Sequence, residues 1–242
     1  MNTAVIFAGG SGTRMNTKSR PKQFLELNGK PIIIYTIELF DKHPLIDAIV
    51  IVCIREWIPF LNKMLRKFEI NKVVSVTSGG DSGQSSIYNG LCAAESYARS
   101  QSDESSIVLI HDGVRPLISE DTITDNINMV KTKGSCVTCI AAQETFIVKN
   151  KESVISIPNR SDSFIARAPQ SFYLKDIISL HRRAISEGKY DFIDSCSMMN
   201  YYGYNVETVI GPIENIKITT PMDFFILRAL IEVRENQQIF GL

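Results

Sequence analysis

The chain has no apolar run approaching the roughly 18 residues needed to cross a bilayer. It also has no basic segment followed by an apolar signal region near its start. A cytoplasmic protein without a membrane partner is therefore expected. An excess of either charge is missing too: 26 Lys plus Arg balance 26 Asp plus Glu. A general electrostatic coat for nucleic acid is thereby excluded, and any polyanion must be held by a local cluster. Cysteine is sparse and odd in number, and Cys53, Cys92, Cys136, Cys139 and Cys196 follow no disulfide framework. They read as reduced thiols, mostly within apolar segments. Cys136 and Cys139 spell CxxC, but no second pair accompanies them, and the two-residue period of a strand puts them on opposite faces. Zinc is not expected.

Two nucleotide-binding motifs are absent as well. No GxxxxGK[ST] occurs, so there is no Walker A loop. A GxGxxG dinucleotide fingerprint starting at Gly10 would need glycine at 15, where Met15 stands. Histidine is limited to His43, His111 and His181, scattered along the chain and forming no Ser–His–Asp or Cys–His arrangement. His111 adjoins Asp112, but at the end of an apolar strand it reads as a packed, hydrogen-bonded residue.

The remaining sequence has the rhythm of an α/β domain. The apolar run 3–8 ends in AGGSG, a strand entering a glycine loop. Helix-like 31–42, strand-like 46–54, helix-like 57–68 and strand-like 71–80 follow. Helix-like 84–99 and the buried strand of 106–116 continue the alternation, which implies a largely parallel sheet. Ser119 is placed to cap a helix over 119–132 with acidic residues in its first turn. The pattern then breaks: 135–160 holds two β-rich runs around a polar NKES turn, an extended hairpin or arm. Helix 173–188, strand-like 204–211 and 214–219, and a final helix opened by Thr220 and Pro221 complete the chain. With 242 residues and no linker or repeat, one domain over 1–242 is expected.

AGGSGTRM, directly after the first strand, lies where loops at the carboxyl ends of a parallel sheet gather ligands. Glycines allow close approach of backbone N–H groups to phosphate, and Arg14, Arg20 and Lys22 add positive charge. The loop suits a polyphosphate. Asp112, ending an apolar strand, suits Mg2+ or ribose hydroxyls, or else a simple loop cap. Lys217, mid-strand among apolar neighbours, is either the partner of an anion or a water-facing edge residue.

At this point a family becomes recognisable. AGGSGTRM followed by RPKQFLELNGKPIIIYTIELF resembles the N-terminal signature of the polyol-phosphate cytidylyltransferases, which act on ribitol 5-phosphate or 2-C-methyl-D-erythritol 4-phosphate. GGDSGQSSIYNG, HDGVRP, ETF, IPNR, APQSF and ENIKITTPMDF continue the resemblance in the same order, nearly end to end. It implies a Rossmann-like, mostly parallel sheet flanked by helices, and a homodimer made through an arm at 136–160. It further implies CTP and a polyol phosphate as substrates, Mg2+, and pyrophosphate as leaving group. Carried over by position, Ala8, Gly9, Gly10, Gly80, Asp81, Ser86 and Asp112 would bind the nucleotide. Arg14, Lys22 and Lys217 would hold and activate the triphosphate, and Asp112 would also meet the metal. Arg115 would meet the acceptor polyol; Thr145 and Arg160, placed on opposite strands of the arm, would reach the acceptor phosphate on the neighbouring subunit.

Three positions depart from that pattern. Gly83 stands where many members have Arg, Ala168 replaces the Thr of TPQ, and Ile193 replaces a Thr or Ser before Asp194. IPNR is closer to the ribitol branch than to the methylerythritol branch of isoprenoid precursor synthesis, so ribitol 5-phosphate is the favoured acceptor. A sugar-1-phosphate nucleotidyltransferase and a nucleotide-binding homologue without turnover remain as the rival readings.

Overall fold

The computed structural model describes residues 1–10 and 20–240, with side chains as far as 236. The run Asn2–Ala8 (β1) is followed by a short turn of 3-10 helix at Lys22–Phe24. Next come a two-stranded ribbon of Glu26–Leu27 (β2) and Lys30–Pro31 (β3), then the helix Ile32–Lys42 (α1). Alternation continues through Ala48–Cys53 (β4), Ile58–Lys67 (α2), Val73–Ser78 (β5), Gly83–Ser100 (α3), Ile107–Asp112 (β6) and Glu120–Lys133 (α4). Ser135–Ala141 (β7) leads to a small ribbon of Val148–Lys149 (β8) and Val154–Ser156 (β9), and Phe164–Tyr173 (β10) returns. The chain ends with Leu174–Ser186 (α5), Ser195–Tyr201 (α6), Glu207–Ile210 (β11) and Pro221–Phe240 (α7).

Seven strands form one sheet in the order β11-β7-β10-β6-β1-β4-β5. Pairing is parallel throughout except at β10, which runs antiparallel to both β6 and β7. β1, β4 and β6 read as continuous apolar runs because both faces of the sheet are covered. One side packs α1 residues such as Ile33, Ile37 and Phe40 against Ile6, Ile49 and Leu109. The other packs Leu91 and Ala94 of α3 and Ile177 and Ile178 of α5 against Val5, Val50 and Val108. α3 sits close to the sheet because of Gly90: a Cβ there would lie 2.7 Å from methyl carbons of both Val5 and Val52. The expected Rossmann-like sheet flanked by helices is therefore present.

The expected helix caps are also in place. Ser119 accepts a hydrogen bond from the Thr122 N–H at 3.2 Å, and Thr220 accepts one from the Asp223 N–H at 3.4 Å. Asp223 in turn accepts from the Thr219 and Thr220 N–H groups. Cys136 and Cys139, like the other three cysteines, are free thiols.

Two expectations need correction. Residues 136–141 belong to β7, paired with β10 and β11 within the central sheet, so the protruding segment is shorter than 136–160. The stretch 214–219 is not a strand but an irregular strap. Its backbone groups are used in loop bonds instead of a ladder: Asn215 N–H donates to the Pro212 carbonyl at 3.2 Å, and Ile218 N–H to the Val114 carbonyl at 3.0 Å.

Candidate active site

β1 is flanked on both sides by parallel neighbours, β4 and β6, and the chain crosses over it to reach β6. Such a point opens a crevice at the carboxyl ends of the strands. Phe7 pairs with Asp112 across β1 and β6, and the Gly113 N–H donates to the Phe7 carbonyl at 2.8 Å. The end of β1, where the glycine loop begins, and Asp112 are thus neighbours by register.

The GGD segment joins them from the end of β5. Ser82 and Ser85 form a reciprocal capping box at the start of α3. One residue further on, the Ser86 hydroxyl accepts from the Gly80 N–H at 2.9 Å. A Cβ on Gly80 would lie 2.5 Å from the Ser85 hydroxyl oxygen, so only glycine fits that approach. Ser86 also lies beside Gly9, since a Cβ built there would be 3.6 Å from its hydroxyl. Gly9 at the end of β1 and Gly80 before α3 therefore meet at Ser86, while Asp81 is exposed and Gly10 faces open space.

Lys22 opens the 3-10 turn that follows the glycine loop, and the next residue, Gln23, is buried. The Gln23 amide Nε2 donates to the Ala8 carbonyl at 2.7 Å and to the Gly10 carbonyl at 3.3 Å. The two ends of the loop are thus tied together by a side chain that pattern reading overlooked. Arg14 lies outside the described residues.

On the other side of Asp112 the 214–219 strap carries Lys217 into the site. Lys217 Nζ is 2.7 Å from Asp112 Oδ1, and Arg115 Nε is 2.7 Å from Asp112 Oδ2. Arg115 is only 9% exposed and also donates to the Asn215 carbonyl at 2.8 Å. Asn215 in turn donates to the Ala168 carbonyl at 2.7 Å, so β6, the strap and β10 are laced together. Burial acts to raise the Asp112 pKa, but the Lys217 and Arg115 charges and hydrogen bonds outweigh it and hold the carboxyl at about 2. Asp112 is ionised at neutral pH.

His111 has no place in this chemistry. Its Nε2 lies 3.2 Å from the Arg115 carbonyl and its ring packs against Phe40. Burial lowers its pKa to about 4, leaving it neutral at pH 7.

A pocket of about 260 Å³ opens here, lined by the apolar Phe7, Ile87 and Ile110 and by the charged Asp112, Arg115 and Lys217. The three sequence departures, Gly83, Ala168 and Ile193, all line this one pocket. Ile193 is 94% exposed, an apolar side chain standing free beside the opening. Behind it, Asp194 caps α6 through the Ser197 N–H at 2.7 Å and accepts from the Gln170 amide at 2.9 Å. Arg167 also lines the pocket. It carried no signal in sequence, being a lone arginine beside the quoted APQSF segment.

Thr145 and Arg160 are exposed and do not line this pocket within one chain. Neither sits on an arm strand as expected. Thr145 lies in irregular backbone before β8, and Arg160 opens a one-turn 3-10 helix at Arg160–Asp162. The cause is local: the Asn159 side chain accepts from the Ser161 N–H, diverting the chain into a turn before β10.

Comparison with known proteins identifies the family of the chain. A model of the 2-C-methyl-D-erythritol 4-phosphate cytidylyltransferase family matches residues 2–233. The chain is 53% identical over 242 residues to a ribitol-5-phosphate cytidylyltransferase of Vibrio parahaemolyticus, covering 100% of both chains. It is 36% identical to a 2-C-methyl-D-erythritol 4-phosphate cytidylyltransferase of Clostridium botulinum, covering 96% of this chain and 97% of that one. Among solved structures, 4-diphosphocytidyl-2C-methyl-D-erythritol synthase from Anaerococcus prevotii superposes with a TM-score of 0.81 at 25% identity, covering 96% of each chain.

Proposed function

Because the chain belongs to the 2-C-methyl-D-erythritol 4-phosphate cytidylyltransferase family, we propose that it transfers a cytidylyl group from CTP to ribitol 5-phosphate, giving CDP-ribitol and pyrophosphate. The observation that carries the choice of acceptor is the full-length 53% identity to a protein of that name, against 36% to a methylerythritol enzyme. The three positions that depart from the family pattern, Gly83, Ala168 and Ile193, all line the candidate pocket.

The chemistry asks little of acid–base groups. A phosphate monoester loses its second proton near pH 6, so the attacking oxygen is already largely ionised at neutral pH. It displaces pyrophosphate from the α-phosphorus in line, and the protein supplies alignment and positive charge. Lys22 and Arg14 beside the glycine loop, and Lys217 in the strap, are the cations assigned to the triphosphate. Ala8, Gly9, Gly10, Gly80, Asp81 and Ser86 form its nucleotide cradle, and Arg115 meets the polyol.

Mg2+ fits this donor set in one way only. Among the described residues no group of three His, Cys, Asp or Glu side chains is placed to hold a metal. Asp112 is a single carboxylate, suited to a cation that arrives on the triphosphate and takes most of its ligands from phosphate and water. The metal would supply charge neutralisation at the phosphates, and Asp112 would be its protein ligand.

The 142–163 excursion is assigned to a homodimer. Ile147, Val148, Val154, Ile155 and Ile157 are all exposed on it, an apolar surface that a second copy would cover. Thr145 and Arg160, on the same excursion, would then reach the acceptor phosphate of the neighbouring subunit. No helix among the described residues is long and apolar enough to cross a membrane, and free thiols accord with a cytoplasmic setting.

Coupled pyrophosphate release, with CTP and each polyol phosphate in turn, tests the assignment. Release with ribitol 5-phosphate supports it. Release only with 2-C-methyl-D-erythritol 4-phosphate, or preference for a nucleotide other than CTP in a four-nucleotide panel, overturns it.

A further inference from the structure

Three cations meet in the pocket: Arg115, Lys217 and Arg167. The first two share Asp112, one on each carboxylate oxygen. Arg167 is different. It makes no salt bridge among the described residues, and its one hydrogen bond there is from Nη1 to the Ile213 carbonyl at 2.8 Å. A guanidinium carries five N–H donors in a rigid fork. The Ile213 carbonyl fixes the fork against the residue just before the strap and leaves most donors for something else. Burial, and then the like charge of Arg115, work against the Arg167 cation, with Glu214 easing it only in part. A guanidinium in a pocket with most of its donors uncommitted, beside a second cation, is suited to an incoming oxyanion.

The position within the sheet says which anion. Arg167 is on β10, which lies on the far side of β6 from β1. The end of β1 and the Gly80–Ser86 region beyond β5 lie across β6 from it in the strand order, and Gly83 lines the same pocket, so the nucleotide cradle faces Arg167 across that pocket. We propose that Arg167 is a substrate-binding residue that grips a phosphate oxygen of the polyol phosphate, so that the pocket selects a phosphorylated acceptor over the free polyol. This assignment rests on the proposed function for the identity of the acceptor, and on the pocket's charge arrangement for the phosphate.

Steady-state kinetics on full-length Arg167→Leu and Arg167→Lys, varying each substrate separately, tests it. Loss of a charge-assisted hydrogen bond predicts a rise in acceptor KM of about 10- to 100-fold for Arg167→Leu. The CTP KM should stay within about twofold of wild type, and Arg167→Lys should recover part of the loss. Equal shifts in both KM values, or a lowered unfolding midpoint with unchanged KM values, would mean that Arg167 only pins the strap. A rise confined to CTP would place it on the nucleotide instead. Either result overturns the proposal. If wild type releases no pyrophosphate with any polyol phosphate, the functional reading fails by itself, and calorimetric titration with inorganic phosphate still decides the site. Binding weakened about tenfold in Arg167→Leu retains a phosphate site at Arg167, whereas equal binding by both proteins removes it.

Discussion

Asp112 divides its two oxygens between Lys217 and Arg115, each at 2.7 Å, so a single carboxylate holds two pocket-lining cations apart and in place. Removing it leaves two partly buried positive charges facing one another. Asp112→Asn should cost about 2 kcal/mol of stability, below the range for a fully buried pair, and should abolish turnover. Asp112→Asn combined with Lys217→Met should regain much of that stability and none of the activity. Urea midpoints of the three proteins check this; an unshifted midpoint in Asp112→Asn would contradict it.

Gln23 clamps the carbonyls of Ala8 and Gly10, next to Lys22 in sequence. Gln23→Met keeps the volume but removes the donor, so the loop mouth loses its tie. The expected outcome is a CTP KM raised about tenfold, an acceptor KM little changed and a stability loss of about 1 kcal/mol. Kinetics with each substrate varied in turn would show it, and an unaltered CTP KM would argue against the clamp.

Lys22→Ala and Arg14→Ala are expected to lower kcat/KM by about 100- to 1000-fold, the scale of losing one charge that stabilises a transition state. Their thermal midpoints should stay near that of wild type, as the assignment of these charges to the triphosphate requires. Near-normal turnover in either variant would remove that residue from the triphosphate site.

His181 is buried against Tyr88 with neither ring nitrogen hydrogen-bonded. Burial lowers its pKa to about 4. Its unfolded value lies near 6.5, so stability is unaffected above that pH and falls as the pH drops from 6.5 toward 4. The full effect is about 3 kcal/mol, with His111 adding a similar slope. His181→Leu should flatten the acid limb of denaturation midpoints measured between pH 7 and pH 4, and an unchanged slope would contradict it.

How much was legible in sequence depended on whether a local rule acted alone. The strand entering the glycine loop was readable because an apolar run stopped at consecutive glycines, and α7 because Thr220 and Pro221 mark a helix start. The 214–219 strap reads as a strand because its alternating IKI imitates one, but a local turn onto the Pro212 carbonyl and the distant Val114 carbonyl draw its backbone into loop bonds. α6 was missed because it is seven residues long and is set by the Asp194 capping box, not by an apolar stripe. Within the site, Asp112 and Lys217 were singled out separately, but their pairing is a tertiary fact. So is the meeting of Gly83, Ala168 and Ile193 in one pocket, because they come from α3, β10 and the loop before α6. Arg167 stood in no charge or spacing pattern, and Gln23, although within the quoted RPKQF run, gains its clamping role only from packing.

The central claim is a cytidylyltransferase that prefers ribitol 5-phosphate as its acceptor. A competition reaction tests it most directly: equal concentrations of ribitol 5-phosphate and 2-C-methyl-D-erythritol 4-phosphate, limiting CTP and Mg2+, with the nucleotide products separated and identified by mass. CDP-ribitol in at least about tenfold excess, equivalent to roughly 1.4 kcal/mol of discrimination, is the predicted result. Comparable amounts of both products, or an excess of the methylerythritol product, would contradict it.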